Sequence, residues 1–399
     1  MLTRPLFRAE ARRRGDGTFS IRRLGWIKFA AFFVTASGFT LAWSRRGEPE
    51  AALANAAVAA VVLTDPAVTL YLNGFYAEYS TVLFGYASIA GAALLIGASG
   101  RPTNPSLLLL ALAAAAFVGS KIQHMGLGLL LALAMALPAF AKLRVGARVI
   151  VALAAGGTVG LAIQVANLAK SENEVMRLAN LTSTALSSLL PLSDDPHRTA
   201  ANLGLPRRCG DYAGLSWYLP PVSEDREKHP CSEVAEVSYL RLLGLGLVEP
   251  RVFARFVGGS LDFVRPWIPS TYRGKPHLGV VEGRMQASLP DDWFSLSRIL
   301  DRLPQWLINL LVLSPAVVVA VLLAAHRLRQ PPLASVLCAL ALLPVAVIVT
   351  VTLGNGYEDS AKQMHLVFTM VLASWLLLAL AGLHRATSGR AQERVSAAG

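Results

Sequence analysis

Three polar clusters interrupt an otherwise apolar chain, and each places groups that could do chemistry beside a hydrophobic run. The first is 64–79, with Asp65, Asn73, Tyr76 and Glu78. A carboxylate partly withdrawn from water can serve as a general base, because burial raises its proton affinity. The structural alternative is that Asp65 caps a helix and Glu78 faces water. The second is 354–365, where Glu358, Asp359 and Ser360 suit the first turn of a helix. Lys362 and His365 follow three residues apart, on one helical face, where they could grip a lipid phosphate. The plain alternative is a Glu358–Lys362 surface pair and an interfacial histidine. The third cluster, Lys121, Gln123 and His124, is short and carries the weakest signal.

Cys209 and Cys231 stand 22 residues apart in a polar block and form one disulfide if that block faces an oxidising compartment. The alternative is two unrelated thiols. Only His229 is near, and no four-ligand zinc spacing is present. The chain has no phosphate-binding glycine loop, HExxH or nucleophile elbow. No pattern requires a cofactor; a divalent metal stays open.

The elements that must position these groups follow from composition. The chain has 399 residues, 54% hydrophobic and 16% charged, where a soluble domain carries about 25% charged. Mean hydropathy is +0.49. The formal charge of +12 argues for nucleic acid only if it is gathered on one surface. It is instead divided among Arg4–Lys28, Lys142–Arg148, Arg327–Arg329 and Arg385–Arg394, each flanking an apolar run. Residues 169–303 hold 16 basic and 16 acidic side chains and are neutral. That distribution is a membrane-topology signal and points to no nucleic-acid partner.

The expected fold is mainly α: a polytopic helical membrane protein with about eight transmembrane helices and one extracytoplasmic, mostly helical domain. The expected spans are 26–43, 79–98, about 105–119, about 126–141, 148–168, 304–325, 333–353 and 365–383. Around them stand a basic cytoplasmic tail (1–25), a membrane bundle over 26–168 with a first external loop (44–78), the external domain (169–303), a second bundle (304–384) and a cytoplasmic tail (385–399). The apolar stretch 50–63 is only 13–14 residues long, short for a span. Taken as non-spanning, it places the later basic clusters inside and the cysteine pair outside, with both termini cytoplasmic in a bacterial inner membrane. Arg45 and Arg46 are then an exception on the outer side. Gly156, Gly157 and Gly160 would allow close helix approach.

The stretches YLNGFYAEYSTVLFG (71–85), SDDPHRTAANLGLPRRCGDYAGLSWY (193–218) and GNGYEDSAKQMHLVF (354–368) resemble a bacterial integral-membrane family of glycan-biosynthesis hexose transferases. The likeness extends over most of 60–385. It implies a polyprenyl-phosphate-linked sugar as donor, a glycan acceptor, membrane lipid around the protein, and a base in the first external loop. Carried over, that base is Asp65, with Asn73, Tyr76 and Glu78 beside it. Here Gly74 stands where the family usually has Ser, Asn355 where it has Asp, and Gln363 precedes Met364 where a His usually follows Lys. The alternative function is non-catalytic: a transporter, flippase subunit or assembly factor for surface polysaccharide. No residue pattern specifies an oligomeric state.

Overall fold

A computed structural model describes residues 21–69, 78–168, 174–218, 222, 229–265, 296–357 and 363–398. The protein is a polytopic helical membrane protein, and the described residues contain no strand. Among the described residues nine apolar helices make up the membrane layer: α1 Ile21–Arg45, α2 Pro49–Leu63, α3 Glu78–Ile96, α4 Asn104–Gly119, α5 Ile122–Ala141, α6 Ala147–Leu168, α12 Gln305–Ala324, α13 Pro331–Asn355 and α14 His365–Ala398. Seven are long and apolar enough to cross a membrane; α2 and α4 are shorter. Between α6 and α12 lie α7 Glu174–Leu181, continued by a π-helix over Thr182–Leu189, then α8 Pro196–Asn202, α9 Tyr239–Val248, α10 Pro250–Gly259 and α11 Leu296–Asp301.

The stretch 50–63, expected to be non-spanning, forms the helix Pro49–Leu63, one of the shorter apolar helices. Pro49 opens α2 at the first helical position, Glu50 follows in the first turn, and the alanine-rich run favours helix. Its second half is a π-helix, Val58–Leu63, and Pro66 disfavours helix at Asp65. At one end Glu50 Oε1 meets His384 Nδ1 at 3.1 Å. At the other, Asp65 and His365 line one small cavity. Nineteen residues of α14 separate those points, about 28 Å of helix, close to the ~30 Å of a hydrocarbon core. Midway, Asn55 Nδ2 donates to Thr40 Oγ1 at 2.9 Å, and Tyr86 Oη donates to Asn55 Oδ1 at 2.8 Å. The twenty-residue rule applies to a helix whose ends must reach the headgroups alone. Here α1, α3 and α14 flank α2, and protein groups receive its ends.

With α2 traversing the layer, α1 and α3 run parallel. Tyr79 Oη donates to Lys28 O at 3.3 Å at one level, and Arg46 donates to Leu94 O at the other. Arg45, Arg46, Arg101, Lys142, Arg144, Arg148, Arg327, Arg329 and Arg385 therefore share one face. The Ile21 end of α1 lies at the level of Tyr79, and Arg385 lies at the other level beside Arg327.

The expected glycine contacts are present. A Cβ on Gly156 would lie 2.1 Å from Ala111 O, one on Gly157 2.8 Å from Gly128 C, and one on Gly160 2.7 Å from Ala115 O. These approaches draw α6 against α4 and α5.

The disulfide-bearing block sits on the face away from the basic clusters. Cys209 and Cys231 are bonded, with a Cα–Cα distance of 5.5 Å. Its folding explains the middle motif. Asp195 caps α8 by accepting from Arg198 N at 3.0 Å, with Pro196 at the first helical position. Gly204, at φ +80°, ends the helix in the left-handed region. The buried Glu249 carboxylate accepts from Thr199 Oγ1 at 2.7 Å and from Asn202 Nδ2. His229 Nδ1 accepts from Cys231 N at 3.2 Å, so the neutral ring carries its proton on Nε2 and donates to Thr182 Oγ1 at 2.9 Å.

Two predictions follow from this arrangement. Single cysteines at Gly47 and Asp194 will react with a membrane-impermeant thiol reagent from opposite sides, and one at Arg329 will react with the Gly47 side; labelling of Gly47 and Asp194 from one side would contradict it. Burial holds the His229 pKa below its usual 6.5, outweighing Glu233 and the backbone bond, which pull it up. The unfolded chain therefore binds a proton first as pH falls, and stability is lost progressively below about pH 6.5. Melting temperatures between pH 8 and 5 will fall more for the native protein than for His229→Gln.

Candidate functional site

The polar groups gather where α3, α5 and α14 begin, on the face that carries the disulfide. Glu78 is the first residue of α3 and is 2% exposed. Lys121 lies in the tight link between α4 and α5. Its Nζ donates to Glu78 Oε1 at 2.8 Å and to Gln363 Oε1, two residues before α14. One ammonium thus joins residues 43 and 242 positions away. Thr81 Oγ1 and Ser120 Oγ, 2.7 Å apart, close the same junction.

His124 is fully buried one turn beyond, its ring stacked on Phe117 with centroids 6.0 Å apart. Among the described residues neither of its ring nitrogens has a hydrogen-bond partner. Gln123 Nε2 donates to Asn355 Oδ1 at 3.2 Å, which brings in the end of α13. His365, buried at the start of α14, lies within electrostatic reach of both Glu78 and His124.

Asp65 stands to one side. Its Oδ1 accepts from Ala67 N at 2.9 Å and its Oδ2 from Ser297 N at 3.1 Å. The carboxylate caps the short helix Pro66–Thr69 and ties it to the first turn of α11. Asp65 and His365 share the walls of a 20 Å³ cavity with Thr369 and Phe368. The described site therefore has two neighbouring parts joined by His365: the Glu78–Lys121–Gln363 knot and the Asp65 pocket.

The last motif, 354–368, divides between the site and the block above it. Gly356 has φ +59°, and a Cβ there would lie 2.3 Å from Ser188 Oγ. Tyr357 N donates to Ser188 Oγ at 2.9 Å and Tyr357 Oη to Phe256 O at 2.8 Å. Burial, with Asp262 nearby, pushes the Tyr357 phenol up to about 12, so it stays a donor at physiological pH. Glycine and tyrosine here fasten the disulfide-bearing block to α13.

Of the residues singled out from sequence, Asp65, Glu78 and His365 meet at this face, and Cys209 pairs with Cys231. Asn73, Tyr76, Glu358, Asp359 and Lys362 lie outside the described residues. Lys121, His124 and Gln123, the weakest cluster in sequence, lie at the centre. A cation and a histidine three residues apart between two apolar runs were the available signal.

Breaking a buried ion pair by removing one partner leaves a bare charge and destabilises by about 3–5 kcal/mol. Glu78→Gln and Lys121→Met should each lower stability by roughly that amount at such a site. The double variant will lose clearly less than the sum of the two, as read from unfolding in lipid or detergent.

Residues 12–234 match the family described as the YfdI N-terminal transmembrane domain, and the chain belongs to that family. Comparison with curated proteins and with solved structures finds no match.

Proposed function

We propose that this member of the family transfers a hexose from a polyprenyl-phosphate donor to a cell-surface glycan, at the disulfide-bearing face of a bacterial inner membrane. The observation that carries the reading is the buried knot of Glu78, Lys121 and Gln363, with His124 and His365 beside it and Asp65 adjoining. Ionisable side chains at membrane depth are costly and belong characteristically to substrate or ion sites.

The orientation rests on two independent signals. Nine basic residues on one face favour the cytoplasm. A disulfide on the other favours an oxidising compartment. The C-terminal end is then cytoplasmic, and the Ile21 end of α1, within the basic cluster Arg4–Lys28, is an exception on the outer side.

In the proposed step Asp65 accepts the proton of an acceptor hydroxyl. That oxygen bonds to the anomeric carbon, the bond from that carbon to the phosphate oxygen breaks, and the electron pair leaves with the lipid phosphate. Lys121, Lys362 and His365 stabilise the departing charge. Glu78 is a positioning residue that holds Lys121 charged. Asn73, Tyr76, Glu358 and Asp359 bind sugar hydroxyls, and the disulfide-bearing block binds the acceptor glycan.

A second reading is a non-catalytic carrier of lipid-linked sugar. A large apolar cavity opening on the basic face, away from the knot, favours it. Glycan mass analysis of a deletion strain separates the two. The transferase leaves a glycan short by one hexose, whereas the carrier leaves lipid-linked sugar undecorated inside the cell. Asp65→Asn, which retains a capping oxygen, and Lys121→Met will each fail to restore that hexose when present at the native level. Full restoration by both would refute the mechanism.

A further inference from the structure

Helix α9, YLRLLGLGLV, is apolar on every side. One side packs inward: Leu242 and Leu245 are buried in the cluster that holds Leu353 of α13, with Val349 against it. The other side is uncovered among the described residues. At the helical period Leu240, Leu243, Leu247 and Val248 fall within one arc, and Leu240 and Leu247 are 79% and 89% exposed. Against water that arc would be polar; a helix apolar all round belongs in a core or in lipid.

The depth of α9 decides between those. Val349 and Leu353 lie eighteen and twenty-two residues along α13 from Pro331, about 27 and 33 Å. Arg327 and Arg329 immediately precede that helix, so its apolar run leaves from the basic face. A ~30 Å hydrocarbon core counted from there ends between Val349 and Leu353. The other edge of the block gives the same level. Gln305, the first residue of α12, donates through Nε2 to Leu261 O at 2.6 Å, and Trp306 beside it is 68% exposed. Tryptophan at the start of a span marks the boundary between hydrocarbon and water.

We infer that α9 lies in the plane of the membrane, with its Leu240, Leu243 and Leu247 face among the acyl chains of the leaflet on the disulfide-bearing side. A helix of this kind buries its apolar face ~5–10 Å into the boundary between headgroups and chains. Charge agrees with that placement. Arg241 is exposed at the edge of the arc, where a lipid phosphate can meet it. Glu249, just beyond the last turn, is buried and receives Thr199 and Asn202. A second copy of the chain suits the face less, because four side chains on a ten-residue helix cover less than the ~800 Å² per partner of a standard interface.

The placement gives the block a second fastening. Tyr357 holds it to α13 through Phe256 O on α10. Helix α9, joined to α10 at Glu249, holds it to the leaflet. The block therefore sits over the knot as part of the membrane layer, not as a free domain. The inference uses no residue of the proposed transfer step and stands whether the protein transfers sugar or carries it.

The test is fluorescence quenching on the full-length protein in vesicles of phosphatidylethanolamine and phosphatidylglycerol. Nitrobenzoxadiazole is attached after Leu243→Cys, Leu247→Cys or, as a water-facing control, Asp194→Cys, in a chain that also carries Cys338→Ala. Emission from the two α9 positions should be quenched by lipid bearing a nitroxide on its acyl chain and spared by aqueous iodide; the Asp194 position should show the reverse. Leu240→Glu together with Leu247→Glu should weaken acyl-chain quenching at the Leu243 position several-fold, while Cys209 and Cys231 stay resistant to alkylation. Iodide quenching on α9 as strong as at the Asp194 position would place the face in water and overturn the inference. Protection from both quenchers would mean that protein covers the face, and would overturn it too. Unchanged acyl-chain quenching in the doubly charged variant would show that the dye and not the helix seeks lipid, with the same result.

Discussion

The Lys121 ammonium is buried at the edge of an apolar layer, and much of the surrounding architecture serves to keep it from being bare. A cation at that depth must be met by an opposite charge and by further acceptors. Glu78 supplies the charge and Gln363 an acceptor. Those partners stand at the starts of α3 and just before α14, so satisfying one side chain sets the register of both helices against the α4–α5 link. Thr81 with Ser120, and Gln123 with Asn355, extend the junction to α13. Beyond Asn355, Gly356 and Tyr357 bind the π-helical segment and α10 of the disulfide-bearing block. The position of that block over the helix ends thus traces back to the same junction.

The two faces differ in the chemistry they offer. One presents carboxylate, amine, amide and imidazole groups within a protein-lined corner, suited to polar substrates and to charge that changes during a reaction. The other presents guanidinium groups around an apolar shaft, suited to an amphiphile. Helices α2, α3 and α14 pass between both.

The short helices show how burial alters rules derived from lipid-exposed segments. Helix α2 carries an asparagine at mid-depth, yet Thr40, Ala36 and Tyr86 satisfy its amide. Helix α4 lies between α3 and α6, with Phe117 filling the space above Gly85 and Ala111 meeting Gly156. Neither needs twenty apolar residues, because neighbouring helices and caps receive the ends.

Much was legible from sequence alone. Apolar runs and the blocks of arginine beside them determined a helical membrane protein with one polar block holding a cysteine pair, because hydrophobicity and charge act locally and leave a local record. The same local record exposed Asp65, Glu78, Lys121 and His365 as polar groups out of place. What it could not hold was the crossing of 49–63 from the Glu50–His384 pair to the Asp65–His365 cavity. That crossing depends on pairings such as Glu50 with His384, whose partners are hundreds of residues apart. Nor could it rank Lys121 above its neighbours, or reveal that both oxygens of Asp65 receive backbone N–H groups. These are decided by which distant elements meet, since a buried charge takes whatever partner the packing brings within reach.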